Sequence, residues 1–328
     1  MKKDNQRIGV DSDPVAAASD AIGDREMAID VSGATKRYGQ NTVVDDLSVR
    51  VPTGALTGFI GPNGAGKSTT MRMLLGLTRP DSGRGTVLGE PFDQPDRFLD
   101  RVGAFVDGPA FYKELSGRRN LAALAALGGI SESRVAPILE RVGLGARADS
   151  AVREYSMGMR QRLGIGAALL PEPELLILDE PINGLDPVGV IEMRELLESL
   201  RDEGRTVLVS SHNLAELEQV CDHLIVISAG RGVYAGETED LLDASRTDYV
   251  LVRAENAADH PVLVEICRAH GVGVDDADGD QLRVHARNGF VATLNEEAMR
   301  TGVRLVELHR ETVSLEESYL ALTEREAS

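Results

Sequence analysis

Cysteine is scarce in this 328-residue chain: only Cys221 and Cys267 occur, in separate predicted domains and in no CxxC pair. That excludes a disulfide framework and fits two reduced thiols in a cytosolic protein. The six histidines show no metal-ligand spacing. Bases are also short: 35 Lys and Arg face 53 Asp and Glu, for a net charge of −18. Nucleic acid and anionic lipid are polyanions, so neither is expected as the main partner. No run approaches the roughly 20 apolar residues a membrane span needs. The N-terminus has Lys2 and Lys3 but then Asp4, Asp11, Asp13 and Asp20, with no apolar core, so it does not read as a signal peptide. If the chain works at a membrane, something else must hold it there.

What is present is ordinary globular composition, 42% hydrophobic and 27% charged, and a length that suggests about two domains. Residues 1–26 read as a disordered acidic tail. Ala28–Val31, Val43–Val51 and Leu56–Ile60 read as strands, and Ser68–Leu77 as a helix halted before Pro80. Arg119–Gly128, Ser133–Val142 and Gly158–Leu170 read as helices, with Leu175–Leu178 a strand buried on both faces. Val188–Asp202 and Leu214–Cys221 are expected helices, Thr206–Ser210 and Leu224–Ser228 expected strands. This alternation argues for a parallel α/β sheet. After about Gly236 the pattern shifts to a small βαββαβ unit: strands at Tyr249–Arg253, Val272–Val274, Gln281–His285 and Val303–Glu307, with helices at Pro261–His270 and Phe290–Arg300. A last helix is expected at Leu315–Leu322. The boundaries that follow are 27–238 for the first domain, with a helical subdomain at about 112–170, and 239–328 for the second.

Gly61-Pro62-Asn63-Gly64-Ala65-Gly66-Lys67-Ser68 matches G-x-x-x-x-G-K-[ST], between a strand and a helix. That context is the one a phosphate loop requires. The glycines let the backbone approach phosphate oxygens, and the following helix points its positive end at the same anion. Lys67 is expected on the β- and γ-phosphates and Ser68 on Mg²⁺, with Thr69 completing the nucleotide contacts. Leu175-Leu-Ile-Leu-Asp179-Glu180 is a buried strand ending in two acids. Alone it reads as a capped strand end. Beside a phosphate loop, Asp179 suits Mg²⁺ coordination and Glu180 suits the general base for an attacking water.

Three further segments complete a pattern. Tyr155-Ser156-Met157-Gly158-Met159-Arg160-Gln161-Arg162 precedes Asp179, Asn183-Gly184-Leu185-Asp186 follows Pro181, and Ser210-Ser211-His212 ends the next strand. Together with the phosphate loop and the acidic strand, they resemble the ATPase subunit of an ABC (ATP-binding cassette) transporter over residues 28–236. The run Pro109-Ala-Phe-Tyr112, Leu115-Ser-Gly117 and Asn120-Leu121 resembles the ABC-2-type exporter branch, as in bacitracin-resistance ATPases. The implied fold is an α/β P-loop NTPase cassette, a mixed sheet core plus helical subdomain, here with a small α+β C-terminal domain of accessory or regulatory role. The resemblance implies ATP and Mg²⁺ as ligands, a head-to-tail homodimer of cassettes, and a separately encoded multi-span permease that holds the chain on the inner face of the cell membrane. Ser156, Met157 and Gly158 would then form the signature loop that meets the γ-phosphate on the partner cassette. Asp186 would link the two sites, His212 would orient the attacking water, and Tyr38 would stack on adenine. Phe111 and Tyr112 would mark the permease docking surface, or else helical-subdomain core.

The sequence departs from that pattern at named places. Tyr155, Met157 and Met159 replace the Leu, first Gly and Gln of the usual signature. Asp107 stands where the family's Q-loop glutamine is expected, which makes it a candidate metal ligand carrying a charge the amide lacked. The competing classes are a soluble ABC ATPase on ribosomes and a DNA-maintenance ATPase. The first typically joins two cassettes through a basic linker. The second needs a long coiled coil, for which the stretch between Lys67 and Asp179 leaves no room.

Overall fold

A computed structural model describes residues 25–108, 110–245, 249–276, 281–285 and 289–310. The expected tail, apart from its last two residues, and the helix expected at Leu315–Leu322 lie outside them, as does Pro109. The chain divides into two units, one reaching to Asp240 and the other beginning at Leu241.

The first unit holds two sheets. In one, β1 (Met27–Tyr38) pairs antiparallel with β2 (Asn41–Pro52) and β4 (Ser82–Val87), and β5 (Glu90–Pro91) closes the edge. The other is six-stranded, in the order β10 (Arg231–Glu237), β9 (His223–Ser228), β3 (Leu56–Ile60), β8 (Thr206–Ser211), β7 (Leu175–Leu178), β6 (Val102–Phe105). Strands β3, β7 and β8 are buried at every residue, because helices or a second sheet cover both faces of a parallel sheet. Strands β9 through β6 run parallel, and only β10 runs against its neighbour. Its reversal is local. Ala229 and Gly230 both have positive φ, 46° and 84°, the two-residue turn that matches hairpin twist. The sheet is therefore mixed.

Helix α1 (Lys67–Leu74) follows β3 and packs Met71 and Met73 into the core that also holds Ile29, Val49, Phe59 and Leu208. It is shorter than the sequence pattern suggested. Leu75 closes it by bonding back to the Met71 carbonyl, and Gly76 turns away at φ 68°. The helical subdomain comprises α2 (Gly117–Leu127), α3 (Val135–Arg141) and α4 (Met157–Leu169). Helix α4 lies directly against β6: a Cβ on Gly164 would fall 2.3 Å from the Phe105 ring, and one on Gly103 would fall 2.2 Å from the Ala168 carbonyl. Then α5 (Pro187–Asp202) crosses to β8, followed by α6 (Leu214–Leu217), half the expected length. Val220 and Cys221 bond back to the Leu217 carbonyl, and the Asp222 amide reaches Leu56, so the chain is pulled into the sheet early.

This topology decides where the chemistry lies. Strands β6, β7, β8 and β3 are parallel, with Phe105 level with Leu178, Leu178 with Val209, and Ile60 with Ser211. Gly61, Asp107, Asp179 and His212 therefore all emerge at one edge, the carboxyl ends of the strands, where open α/β sheets bind ligands.

The second unit places β11 (Tyr249–Ala254), α8 (His260–Ala269), β12 (Val274–Asp276), β13 (Leu282–His285), α9 (Phe290–Arg300) and β14 (Leu305–Arg310) in sequence, after α7 (Thr238–Ser245), which straddles the boundary. Its antiparallel sheet runs β12-β13-β11-β14. The alternate residues Val250 and Val252 bury against Leu263, Ile266, Leu294 and Ala298 of the two helices, the period-two pattern of a sheet covered on one face. Among the described residues, no helix is long and apolar enough to cross a membrane.

Candidate active site

The loop 61–66 wraps tightly because two of its glycines have no room for a side chain. A Cβ on Gly61 would fall 2.5 Å from the Ile227 carbonyl oxygen, and one on Gly66 2.8 Å from that of Val43. Gly66 also sits at φ 107°, a conformation L side chains rarely adopt, and forms the N-cap of α1. The first amides of α1 thus converge on the mouth of the loop. Lys67 is buried, its ammonium 2.6 Å from the Gly61 carbonyl oxygen and 3.2 Å from Glu180 Oε1.

The acids lie at the end of β7. The Asp179 amide donates to the Phe105 carbonyl at 2.7 Å. Glu180 adopts φ 50°, an uncommon angle for a residue with a side chain, and such strain recurs at working sites. Ser210, at the end of β8, ties the two acids together. Its hydroxyl donates to Asp179 Oδ1 at 2.6 Å and accepts the Glu180 amide at 2.9 Å. Two residues on, His212 Nδ1 lies 2.8 Å from Glu180 Oε2. A carboxylate accepts, so Nδ1 carries the hydrogen. The structure thus brings Lys67, Asp179, Glu180 and His212 into one contact chain. The Ser210 link was missed from sequence, although its place one strand over from Asp179 was the available signal. Replacing Ser210 by Ala should leave ATP affinity nearly unchanged while lowering kcat by up to about a hundredfold, the scale of misplacing a positioned group. Steady-state kinetics with separate kcat and KM checks this.

Mg²⁺ takes oxygen ligands and keeps several waters or phosphates rather than a full protein cage. The donor set fits that. Asp179 stands just past β7, accepting the Ser210 hydroxyl through Oδ1, and Ser68 stands in the first turn of α1.

The remaining candidates lie on other elements. Tyr38 ends β1, half exposed, with Lys36 Nζ 5.4 Å above its ring. Ser156 caps α4 by accepting the Met159 amide at 3.2 Å, and Asp186 caps α5 by accepting that of Gly189 at 2.9 Å. Together with Met157, Gly158 and Leu185 they line a cavity of about 410 Å³. A second cavity, about 320 Å³, is bounded by Phe105, Asp107, Met157, Gln161, Asp179 and Glu180. Met157 therefore borders both. Gln161, also missed, anchors α4 to the loop after Glu180 through Nε2 and the Asn183 carbonyl, 3.0 Å apart. Asp107 turns its carboxylate to Arg72 rather than leaving it free. Phe111 is half-buried and Tyr112 is 70% exposed.

A sequence profile of the family described as ABC transporter matches residues 44–183. The chain is 37% identical over 304 residues to the "Bacitracin transport ATP-binding protein BcrA" of Enterococcus faecalis, covering 90% of this chain and 96% of that one. The chain belongs to the ATP-binding subunits of ABC transporters. It is 41% identical over 201 residues to the "Lantibiotic transport ATP-binding protein SrtF" of Streptococcus pyogenes, covering 61% of this chain and 87% of that one. The solved "Structure of ATP binding subunit of ABC transporter" superposes with a TM-score of 0.58 at 32% identity, covering 66% of this chain and 92% of that one. As an ABC transporter ATPase, the chain binds and hydrolyses ATP.

The family assignment gives one departure a physical reason. Tyr155, in place of the usual signature leucine, is 3% exposed and donates its hydroxyl to the Arg147 carbonyl at 2.7 Å. Burial pushes its phenol above the ordinary range. Its ring lies against Gly117 at the start of α2, where a Cβ would come 2.3 Å from the hydroxyl. This ABC ATPase has paired a large residue, Tyr155, with a small one, Gly117, across the helical subdomain.

Proposed function

We propose that this chain is the nucleotide-binding subunit of an ABC-2-type exporter, driving a separately encoded multi-span permease by ATP-dependent closure of a cassette homodimer. The observation that carries the reading is the contact chain Lys67–Glu180–His212, with Asp179 tied in through Ser210, at the mouth of the phosphate loop. In this reading Lys67 binds the β- and γ-phosphates, and the loop amides hold the rest of the triphosphate. Glu180 takes the proton of the attacking water while His212 holds the carboxylate in place. Ser68 and Asp179 would hold Mg²⁺, which when bound neutralises charge on the phosphates.

The homodimer is supported by what lies exposed. Met157, Val188 and Ile191 are 46%, 62% and 55% exposed beside Ser156, Gly158 and Asp186. Exposed apolar side chains around a polar cavity mark an interaction surface. The signature residues Ser156, Met157 and Gly158 then meet the nucleotide held by the partner cassette. Tyr38 stacks on adenine. Export, rather than import, follows the bacitracin-resistance resemblance, and places the chain on the inner face of the membrane through its permease. The unit after Leu241 is an accessory domain in this reading.

Affinity capture from detergent-solubilised source cells in the presence of ATP tests the assignment. Recovery of a protein with several apolar spans supports it, and recovery of ribosomes without a membrane protein overturns it. Replacing Phe111 and Tyr112 together by Ala should abolish that capture while ATP binding to the purified chain stays within about twofold, as expected for a partner contact made by side chains outside the Lys67–Glu180–His212 contact chain. Capture that survives the double substitution counts against docking at that surface.

A further inference from the structure

Asp107 occupies the position expected of a metal-contacting glutamine, yet the structure gives its carboxylate another partner. Arg72 Nε donates to Asp107 Oδ2 at 3.1 Å, and Arg72 Nη2 donates to Oδ1. Both carboxylate oxygens are thus engaged by one planar fork, the geometry that makes such pairs strong and directional. Arg72 lies four residues after Ser68 on α1, hence on the same helix face. Asp107 lines one cavity with Asp179, so the guanidinium that grips Asp107 lies beside that acid; the Asp107 hydrogen bond first, and the Asp179 charge to a lesser degree, favour the charged form of Arg72. Asp107 itself stands at φ 64°, just past β6, so a turn of uncommon geometry aims it at the guanidinium.

The charges decide what this arrangement does. A neutral glutamine at position 107 needs no counter-ion. A carboxylate there with Arg72 beside it also sums to zero. Take the carboxylate away, and a bare guanidinium remains on the phosphate-loop helix with Asp179 as a nearby acid. A cation paired with Asp179 competes directly with a divalent metal for the same oxygens.

We propose that Arg72 is a positioning residue and Asp107 its counter-ion, the pair serving to keep Arg72 off Asp179 and to tie α1 to the segment leading into the helical subdomain, with Asp107 not itself a metal ligand. This rests on the reading of Asp179 as the metal-holding acid.

The test is Mn²⁺ binding to the full chain with a non-hydrolysable ATP analogue, followed by electron paramagnetic resonance. Asp107→Asn should raise the half-saturating Mn²⁺ concentration about tenfold, the scale of one neighbouring charge in a half-exposed site. Adding Arg72→Gln to that variant should bring it back to within about twofold of the parent. A double variant as impaired as Asp107→Asn alone would show that Asp107 ligates the metal and would overturn the proposal. Unchanged Mn²⁺ affinity in Asp107→Asn would overturn it too. A separate Asp179→Asn arm guards the premise: if it binds Mn²⁺ like the parent, the reading of Asp179 fails, whatever Arg72 does. Thermal melts of each variant confirm that the folded chain is being compared.

Discussion

Glu180→Gln should bind ATP and form a stable dimer while its turnover falls by about two to four orders of magnitude, the usual worth of a positioned general base. The substitution changes almost nothing but the chemistry. Glutamine has the same length, the strained backbone at φ 50° is still held by the Ser210 hydroxyl, and the side-chain amide can still meet His212. What goes is the proton acceptor. A second effect acts on binding. Glu180 Oε1 lies 3.2 Å from the Lys67 ammonium, so the carboxylate competes with a phosphate for the same cation and repels it. Neutralising it should tighten ATP binding while stopping turnover, and the loaded dimer should accumulate. Light scattering with and without ATP, alongside phosphate release, reads both effects. A variant that stays monomeric with ATP, or hydrolyses at the parent rate, would remove Glu180 from the role of base.

The contrast between Glu180 and Asp107 shows what a linear sequence carries and what it does not. The phosphate loop and the acidic strand were legible because each is local: a tight turn demands glycine, and a strand buried on both faces is a continuous apolar run. The same locality made β3 and β7 readable to the residue. The links between strands were not legible. Ser210 and Gln161 sit inside motif segments, but the bond Ser210 makes appears only when β8 is set beside β7, and that of Gln161 only when α4 lies against the loop after Glu180. Arg72 is the clearest case. Its partner is 35 residues away, across the antiparallel sheet region and β6, and nothing in helix periodicity singles it out. Helix ends were misjudged for a related reason. Where α6 stops is set by Asp222 reaching Leu56 in another strand, not by propensity within the segment.

The loop's own geometry supplies the second large effect. Gly66→Ala should weaken ATP binding by about a hundredfold or more, while Gly64→Ala weakens it far less. Both glycines have positive φ, 107° and 84°, so both substitutions carry a conformational cost of about 1–3 kcal/mol. They differ in surroundings. A Cβ at Gly64 meets nothing within 4 Å, whereas one at Gly66 falls 2.8 Å from the Val43 carbonyl oxygen and 3.3 Å from Val44 Cγ2. Val43 and Val44 belong to β2, and the backbone of the antiparallel sheet cannot give way as a side-chain tip can. The alanine must therefore push α1 outward, and α1 carries Lys67, Ser68 and the amides proposed to face the phosphates. Every ~1.4 kcal/mol of lost contact is tenfold in affinity, so about 2.8 kcal/mol lost at the displaced groups is a hundredfold. Calorimetric titration with ATP, with circular dichroism to confirm the fold, separates the two variants. Equal losses at both positions would mean that backbone strain alone sets affinity, and that the contact between the loop and β2 does not hold α1 in register with the site.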